Sequence, residues 1–319
     1  MSWKYNADSS AIQIVRRTFW RASLVQSCVG DDETDSTTFT RVDCSDQCSQ
    51  LNDNTRCTDS STLLDWTTGE RIISYTASSF RAWYSSCCWP DGGGWELKVD
   101  VDKTKTNNNG TINTSPSALM FPIVRIQNNC NPKFTIPVVD VDQNLVICRW
   151  GQANKQECGD ECMMLPSKTL NINDCTLNLT GMPDGLYTIA LQIEDTPTSN
   201  SVRSLSSVPL QFLLELYSSP YSCDQLPQII NNITNGSDIS GLKSNTEWKY
   251  RITAQTSGPT ISEIVTMSPF GLTKSSLKQG ASSSQWYIDV TWTPDLTQSG
   301  PNLFCFSAVD SARYAVISA

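Results

Sequence analysis

At 319 residues the chain is too long for one small sandwich and fits two or three domains of roughly 100 to 150 residues each. Its 39% apolar and 17% charged content is that of a folded protein rather than a disordered one. The net charge of -9 and the pI near 4.6 oppose nucleic acid and anionic membranes as partners, because both demand clustered Lys and Arg. Arg16, Arg17 and Arg21 form the single local basic cluster.

Along the chain, apolar residues alternate with polar ones and a 3.6-residue period is nearly absent, so the prediction is an all-β fold. In the first third, residues 11–20, 71–76 and 95–101 read as strands; in the middle third, 121–126, 134–139, 145–150, 176–179, 186–193 and 208–217. The last third offers 247–253, 261–267, 286–292, 303–309 and 314–317. Turn formers such as Pro90-Asp-Gly-Gly-Gly, Pro183-Asp-Gly and Gln298-Ser-Gly-Pro separate them. Gly92-Gly-Gly is a hairpin turn and not a phosphate cradle, since no helix follows it.

One cassette recurs: a Gly-containing turn, an aromatic residue, then alternating apolar positions ending in Asp. It runs from Gly92 to Asp102, from Asp184 to Asp195 and from Ser299 to Asp310. In immunoglobulin-like sandwiches the penultimate strand begins this way, with an aromatic closing the corner. Three cassettes predict three tandem Ig-like β-sandwich domains: a Cys/Trp-rich one over 1–111, a second over 112–219 and a third over 220–319. The Asn107-Asn-Asn-Gly-Thr stretch is the expected first linker.

Thirteen cysteines at uneven spacings indicate disulfides in an oxidising compartment: Cys28, Cys44, Cys48, Cys57, Cys87, Cys88, Cys130, Cys148, Cys158, Cys162, Cys175, Cys223 and Cys305. Zinc is disfavoured, because the chain has no CxxC pair and no histidine. Cys223 and Cys305 are alone in the third domain and are expected to pair. The five cysteines of the second domain leave one that is unpaired, bridges domains or joins another chain. Asn109, Asn113, Asn178, Asn232 and Asn235 head Asn-x-Ser/Thr sequons and are the expected sites of covalent N-glycans. Met1-Ser-Trp-Lys-Tyr lacks the apolar core of a signal peptide, so upstream residues or a processed N-terminus are expected. No apolar run approaches the roughly 20 residues of a transmembrane segment.

The absence of histidine excludes Ser-His-Asp, Cys-His and His-metal catalysis, and no P-loop, GxSxG or GxGxxG pattern sits after a strand. A carboxylate glycosidase would need a facing Asp/Glu pair, which sequence cannot nominate among 32 acids. Asp140-Val-Asp-Gln-Asn144 has the DxDxN opening of a calcium loop, with Asp140, Asp142 and Asn144 as ligands, but lacks the Gly and Glu of an EF-hand. A plain acidic hairpin turn competes with that reading, and Asp100 with Asp102 offers a thinner version of it. No other cofactor is implied. The ten tryptophans, crowded at Trp3, Trp20, Trp66, Trp83, Trp89 and Trp95, read as sandwich core beside disulfides or as a sugar-stacking platform.

Met1-Ser-Trp, Cys87-Cys-Trp-Pro with Gly-Gly-Trp, Ile112-Asn-Thr-Ser-Pro, Ile136-Pro-Val-Val-Asp-Val-Asp, Cys148-Arg-Trp, Leu205-Ser-Ser-Val-Pro-Leu-Gln-Phe and Val290-Thr-Trp-Thr-Pro carry a resemblance. Together they resemble extracellular proteins of invertebrates that bear such a module near the N-terminus, often ahead of EGF-like or von Willebrand factor A domains. The resemblance implies an ectodomain or matrix role and brings no catalytic residues.

The expectation is therefore a secreted structural or adhesive glycoprotein without enzymatic activity. Its partners are further copies of itself or other extracellular proteins. Residues 11–20 are the expected donor strand for head-to-tail filament assembly by β-strand addition. The rivals are a lectin-like or receptor ectodomain binding glycans or proteins, and a secreted carboxylate-based glycosidase.

Overall fold

A computed structural model describes the chain except residues 7–9, 21–32, 36–37, 42–55, 62, 76–78, 87–94, 131, 163, 167–168, 198–203, 232–238, 313–314 and 319. Among the described residues the protein is all-β. Helical structure is confined to short 3-10 turns such as Ala153–Lys155, Cys223–Gln225 and Leu296–Gln298. Among the described residues no helix is long and apolar enough to cross a membrane.

The first region supplies β1 (Ser2–Asn6), β2 (Ala11–Trp20), β3 (Glu33–Asp35), β4 (Thr38–Arg41), β5 (Arg56–Ser61), β6 (Trp66–Tyr75), β7 (Ser79–Ser86) and β8 (Trp95–Asp102). One sheet runs β1-β2-β6-β5; β8, β7, β4 and β3 follow one another in the other. Alternation turns Ile12 and Ile14 of β2 into the core with Trp3 and Trp66, all buried. β2 is hydrogen-bonded to β6 along 12–20 and to β1 along 11–15, so within this chain 11–20 is taken up in its own sheet, interior over 11–15, rather than standing free as the expected donor strand.

The second region contains β9 (Ser117–Ala118), β10 (Ile123–Gln127), β11 (Lys133–Thr135), β12 (Val138–Val139), β13 (Leu145–Trp150), β14 (Leu170–Asn171), β15 (Thr176–Asn178), β16 (Gly185–Thr196) and β17 (Ser206–Tyr217). β13, β16 and β17 pair antiparallel, and β10 adds to β17 in parallel from Ile123↔Leu213 to Gln127↔Tyr217. The sheet β11-β15-β14 is the second layer, and Phe134 of β11 meets Phe212 of β17 edge-on at 6.3 Å.

The third region holds β18 (Gln228–Ile229), β19 (Trp248–Gln255), β20 (Ile261–Met267), β21 (Thr273–Lys274), β22 (Lys278–Gln279), β23 (Gln285–Trp292), β24 (Cys305–Asp310) and β25 (Ala315–Ser318). One sheet runs β18-β19-β23-β21 with β22 also on β23, and the other runs β20-β24-β25. This division matches the ABED and CFG sheets of an immunoglobulin constant-type sandwich.

The cassettes behave differently. In β16 the Tyr187 hydroxyl donates to the Pro183 carbonyl at 2.9 Å, closing the corner as a tyrosine corner does. In the third cassette the aromatics around β24 are Phe304 and Phe306, 5.4 Å apart, which lack a hydroxyl and close by ring packing. The first cassette forms β8, the last strand of its region rather than the penultimate one.

The regions are knitted together rather than strung out. β8 pairs with β17 at Ser207↔Asp100, which makes one eight-stranded sheet across residue 111. The Asn107 stretch is not an open linker: Thr106 bridges Ile112, and Asn107 accepts from Gly110 N at 2.9 Å. Downstream, Trp3 and Ser115 exchange backbone and hydroxyl hydrogen bonds at 2.7 and 3.0 Å.

The third region docks on the first through its β20-β24 sheet. Ile264, Phe306 and Ala308 face the third sandwich's own core, whereas Val265, Met267, Cys305 and Val309 join the core shared with Trp3, Trp66 and Val99. Both faces of β24 are covered, so all six of its residues are buried. Asp59 of β5 seals the junction, its carboxylate accepting from Thr266 Oγ1 at 2.7 Å, Ser268 N at 2.9 Å and Ser268 Oγ at 2.8 Å. Arg17 donates to Ser268 O at 3.0 Å and to Glu70 at 3.1 Å.

Candidate functional site

Asp140, Asp142 and Asn144 lie in the turn between β12 and β13, and the structure brings them together with residues from two other segments. Asp140 Oδ1 accepts from Asp142 N at 2.9 Å and Asn144 N at 3.1 Å, the side-chain turn that Asp favours at such positions. Asp142 Oδ2 accepts from Thr114 N at 2.6 Å. The Asn144 amide donates to Asn107 Oδ1 at 2.7 Å and Asn113 Oδ1 at 3.0 Å. Asn113 Nδ2 in turn donates to Asp195 Oδ2 at 2.7 Å, while Asp195 Oδ1 accepts from Ser206 N and Oγ at 2.7 and 2.6 Å. The short hairpin before the second sandwich is thus fastened to its β12-β13 turn and to the end of β16.

Electrostatics in this cluster are one-sided. Burial pushes the Asp140 carboxyl up to about 7; hydrogen bonds from the Asn144 and Asp142 backbones oppose the rise, and the charges of Asp195 and Asp142 add to it. Burial also raises Asp195, against its hydrogen bonds from Ser206 and Asn113. Asp140 is 9% exposed, and its Oδ2 is buried with no hydrogen-bond partner. Among the described residues no group of three His, Cys, Asp or Glu side chains converges to hold a metal ion.

Asn113 is fully buried, so its amide nitrogen has no room for a glycan; this corrects its expected role as a glycosylation site. Asn109 and Asn178 are exposed. At Asn109 the sequon's own Thr111 donates to Asn109 Oδ1 through N at 3.0 Å and Oγ1 at 2.7 Å. Asn232 and Asn235 lie outside the described residues.

The expected Cys223–Cys305 bridge does not form. Cys223 sits in a 3-10 turn ahead of β18 and is bonded to Cys130, in the loop between β10 and β11, with Cα atoms 5.4 Å apart. Cys130 is therefore the odd cysteine of the second region, and it bridges to the third. Cys305 is a free buried thiol. The twofold alternation of β24 turns it away from its own sandwich and into the junction with the first region, where burial pushes its thiol up to about 12. Cys148–Cys175 and Cys158–Cys162 close loops inside the second region. Cys57 lies in β5, with its side chain outside the described set, and Cys28, Cys44, Cys48, Cys87 and Cys88 are outside the described residues.

A feature without sequence signal is the Arg149 fork. Its guanidinium grips Glu157 at 2.6 and 2.8 Å and Glu194 at 2.8 Å. Burial works to raise the Glu157 carboxyl, but hydrogen bonds and charge from Arg149 outweigh it and hold the group below its ordinary value. Of the tryptophans, Trp3 and Trp66 are core, which removes them from any sugar platform; Trp89 lies outside the described residues. A cleft of about 240 Å³ opens where the regions meet, lined by Lys4, Arg17, Glu70, Thr114, Phe270 and Leu303 among others. Glu70 is the one acid among the described residues lining it, and Arg17 pairs with it at 3.1 Å.

No protein-family model and no curated protein matches the chain. Solved structures give distant likenesses. An endo-fucoidan hydrolase of glycoside hydrolase family 107 is 14% identical, with 82% of this chain and 36% of that one covered at a TM-score of 0.21. Human protocadherin-24 EC1-2 is 11% identical over 65% of this chain and 93% of that one, at 0.24. An I-band fragment of titin is 8% identical over 97% and 89%, at 0.19. This chain spans about a third of the hydrolase. At these scores the likenesses carry no argument, and the immunoglobulin-like assignment rests on strand order, register and corner geometry.

Proposed function

We propose that this chain is an extracellular structural or adhesive glycoprotein module. The observation that carries the reading is the Cys130–Cys223 disulfide, which locks the second sandwich to the third across 93 residues. Such bridges persist in oxidising compartments. With the shared β8-β17 sheet and the Asp59 junction, it supports a stiff ectodomain that holds its surfaces in a set orientation. Glycans at Asn109 and Asn178 suit that setting. Head-to-tail assembly through sheet edges other than 11–20 is the finer form of the proposal. The test is localisation in the source tissue together with bead aggregation by the purified chain. Extracellular deposition and self-aggregating beads support the reading; a reduced cytosolic protein on beads that stay dispersed overturns it.

A second reading, a receptor-type ectodomain, is favoured by one surface. On the outer face of the third sandwich the Arg251 guanidinium lies 3.9 Å over the Tyr287 ring, and Lys278 approaches the same ring at 5.8 Å. Tyr and Arg together are typical anchors of protein contacts. Loss of ligand binding in a Tyr287→Ala variant that retains its fold would favour this reading over a purely structural one.

A further inference from the structure

We propose that the Asp140–Asn144 turn, with Asn107 and Asn113 of the preceding hairpin, forms a binding site for one calcium ion. One buried polar atom of the turn lacks a partner. Asp140 is nine-tenths buried; its Oδ1 is taken by two backbone N–H groups, and its Oδ2, equally buried, has no partner. The charged groups that act on it are the carboxylates of Asp195 and Asp142, so it sits among acids and amides. A buried carboxylate oxygen without a donor is costly, and either a proton or a cation relieves it.

The oxygens around it favour the cation. Asp142, whose charge acts on Asp140 and whose Oδ2 accepts from Thr114 N at 2.6 Å, would contribute a second carboxylate, and Asn107 and Asn113 turn their amide oxygens to one point, where the Asn144 amide nitrogen now meets both at 2.7 and 3.0 Å. Calcium takes six to eight oxygens in loose geometry and accepts carboxylates, Asn carbonyls and water together, whereas magnesium demands a tight octahedron. The set is mixed, two carboxylates with amide oxygens, rather than a group of three acids. In the bound form the Asn144 amide rotates to present its oxygen. Asp195 acts behind the site as a positioning residue, holding the Asn113 nitrogen at 2.7 Å so that the Asn113 oxygen faces the turn. Because the donors come from both the hairpin and the turn, calcium would pin residues 107–113 to the second sandwich.

The test is calorimetric titration of the purified full chain with calcium chloride at pH 7.5, with magnesium as the control cation and circular dichroism to verify folding of each variant. The expected result is one saturable calcium site in the range of about 0.1 to 1 mM typical of extracellular modules, with binding weakened at least tenfold in Asp140→Asn and in Asp142→Asn. Wild-type chain that gives no calcium-dependent heat at concentrations about tenfold above that range overturns the proposal, whichever variants fold. So does undiminished binding in a folded Asp140→Asn or Asp142→Asn variant. Equal response to magnesium also overturns it as a calcium site.

Discussion

Asn113 Nδ2 donates to Asp195 Oδ2 across 2.7 Å in a fully buried setting, tying the hairpin that follows β8 to the end of β16. The pair joins residues 82 positions apart and converts a sequon into a structural contact. Such a bond between a buried carboxylate and an amide is charge-assisted and stronger than a neutral one.

Glycopeptide mapping of the chain produced through a secretory expression host is expected to find glycan on Asn109 and Asn178 and unmodified Asn113. A folded protein carrying glycan on Asn113 would mean that the buried contact is wrong.

The Arg149 fork gives a stability prediction. Arg149→Ala leaves Glu157, 3% exposed, and Glu194 without their cation. Breaking a buried ion pair from one side costs about 3 to 5 kcal/mol, whereas an exposed pair such as Lys249–Glu247 contributes less than about 1 kcal/mol. Denaturant midpoints of Arg149→Ala and Lys249→Ala, compared side by side, check the contrast.

Removing the Cys130–Cys223 bridge by a double serine substitution releases a 93-residue loop in the unfolded chain. The chain-entropy estimate for a loop of that length is a loss of about 4 to 5 kcal/mol. Chemical unfolding of the double variant should also show the third sandwich separating in its own transition, as two-state behaviour fails when coupling between domains weakens.

Asp140 predicts an inverted pH dependence. Its ordinary value is 3.8 when unfolded and about 7 when folded, so between those values the native state binds more protons. Its contribution to stability is full below about 4 and is lost as pH rises through 7. With a chelator present, the wild-type unfolding temperature should therefore fall between pH 5 and 8 by more than that of Asp140→Asn, and saturating calcium should flatten the wild-type profile. A wild-type profile parallel to the Asp140→Asn profile in chelator would contradict this assignment.

Much of the sandwich architecture was legible in alternation. β13 and β20 fall on the residues that the pattern picks out, and the Tyr187 corner follows from the turn-aromatic cassette. The docking between regions was not. Asp59 meets Ser268 across 209 residues, and neither carries a local signal of the other. The place of Cys305 is not legible locally, because period two tells which residues share a face but not what covers it. The unbroken apolar run from Leu303 to Phe306 with Ala308 and Val309 was the available clue, since it marks a strand buried on both faces. Asn113 shows the same gap, because a sequon specifies chemistry and says nothing of burial.

The disulfide-locked set of docked sandwiches is tested most directly by peptide mapping of the protein isolated from its source, alkylated without reduction. Linked peptides are expected for Cys130–Cys223, Cys148–Cys175 and Cys158–Cys162, with Cys305 alkylated only after unfolding. Free thiols at Cys130 and Cys223, or a linked Cys223–Cys305 peptide, would contradict it.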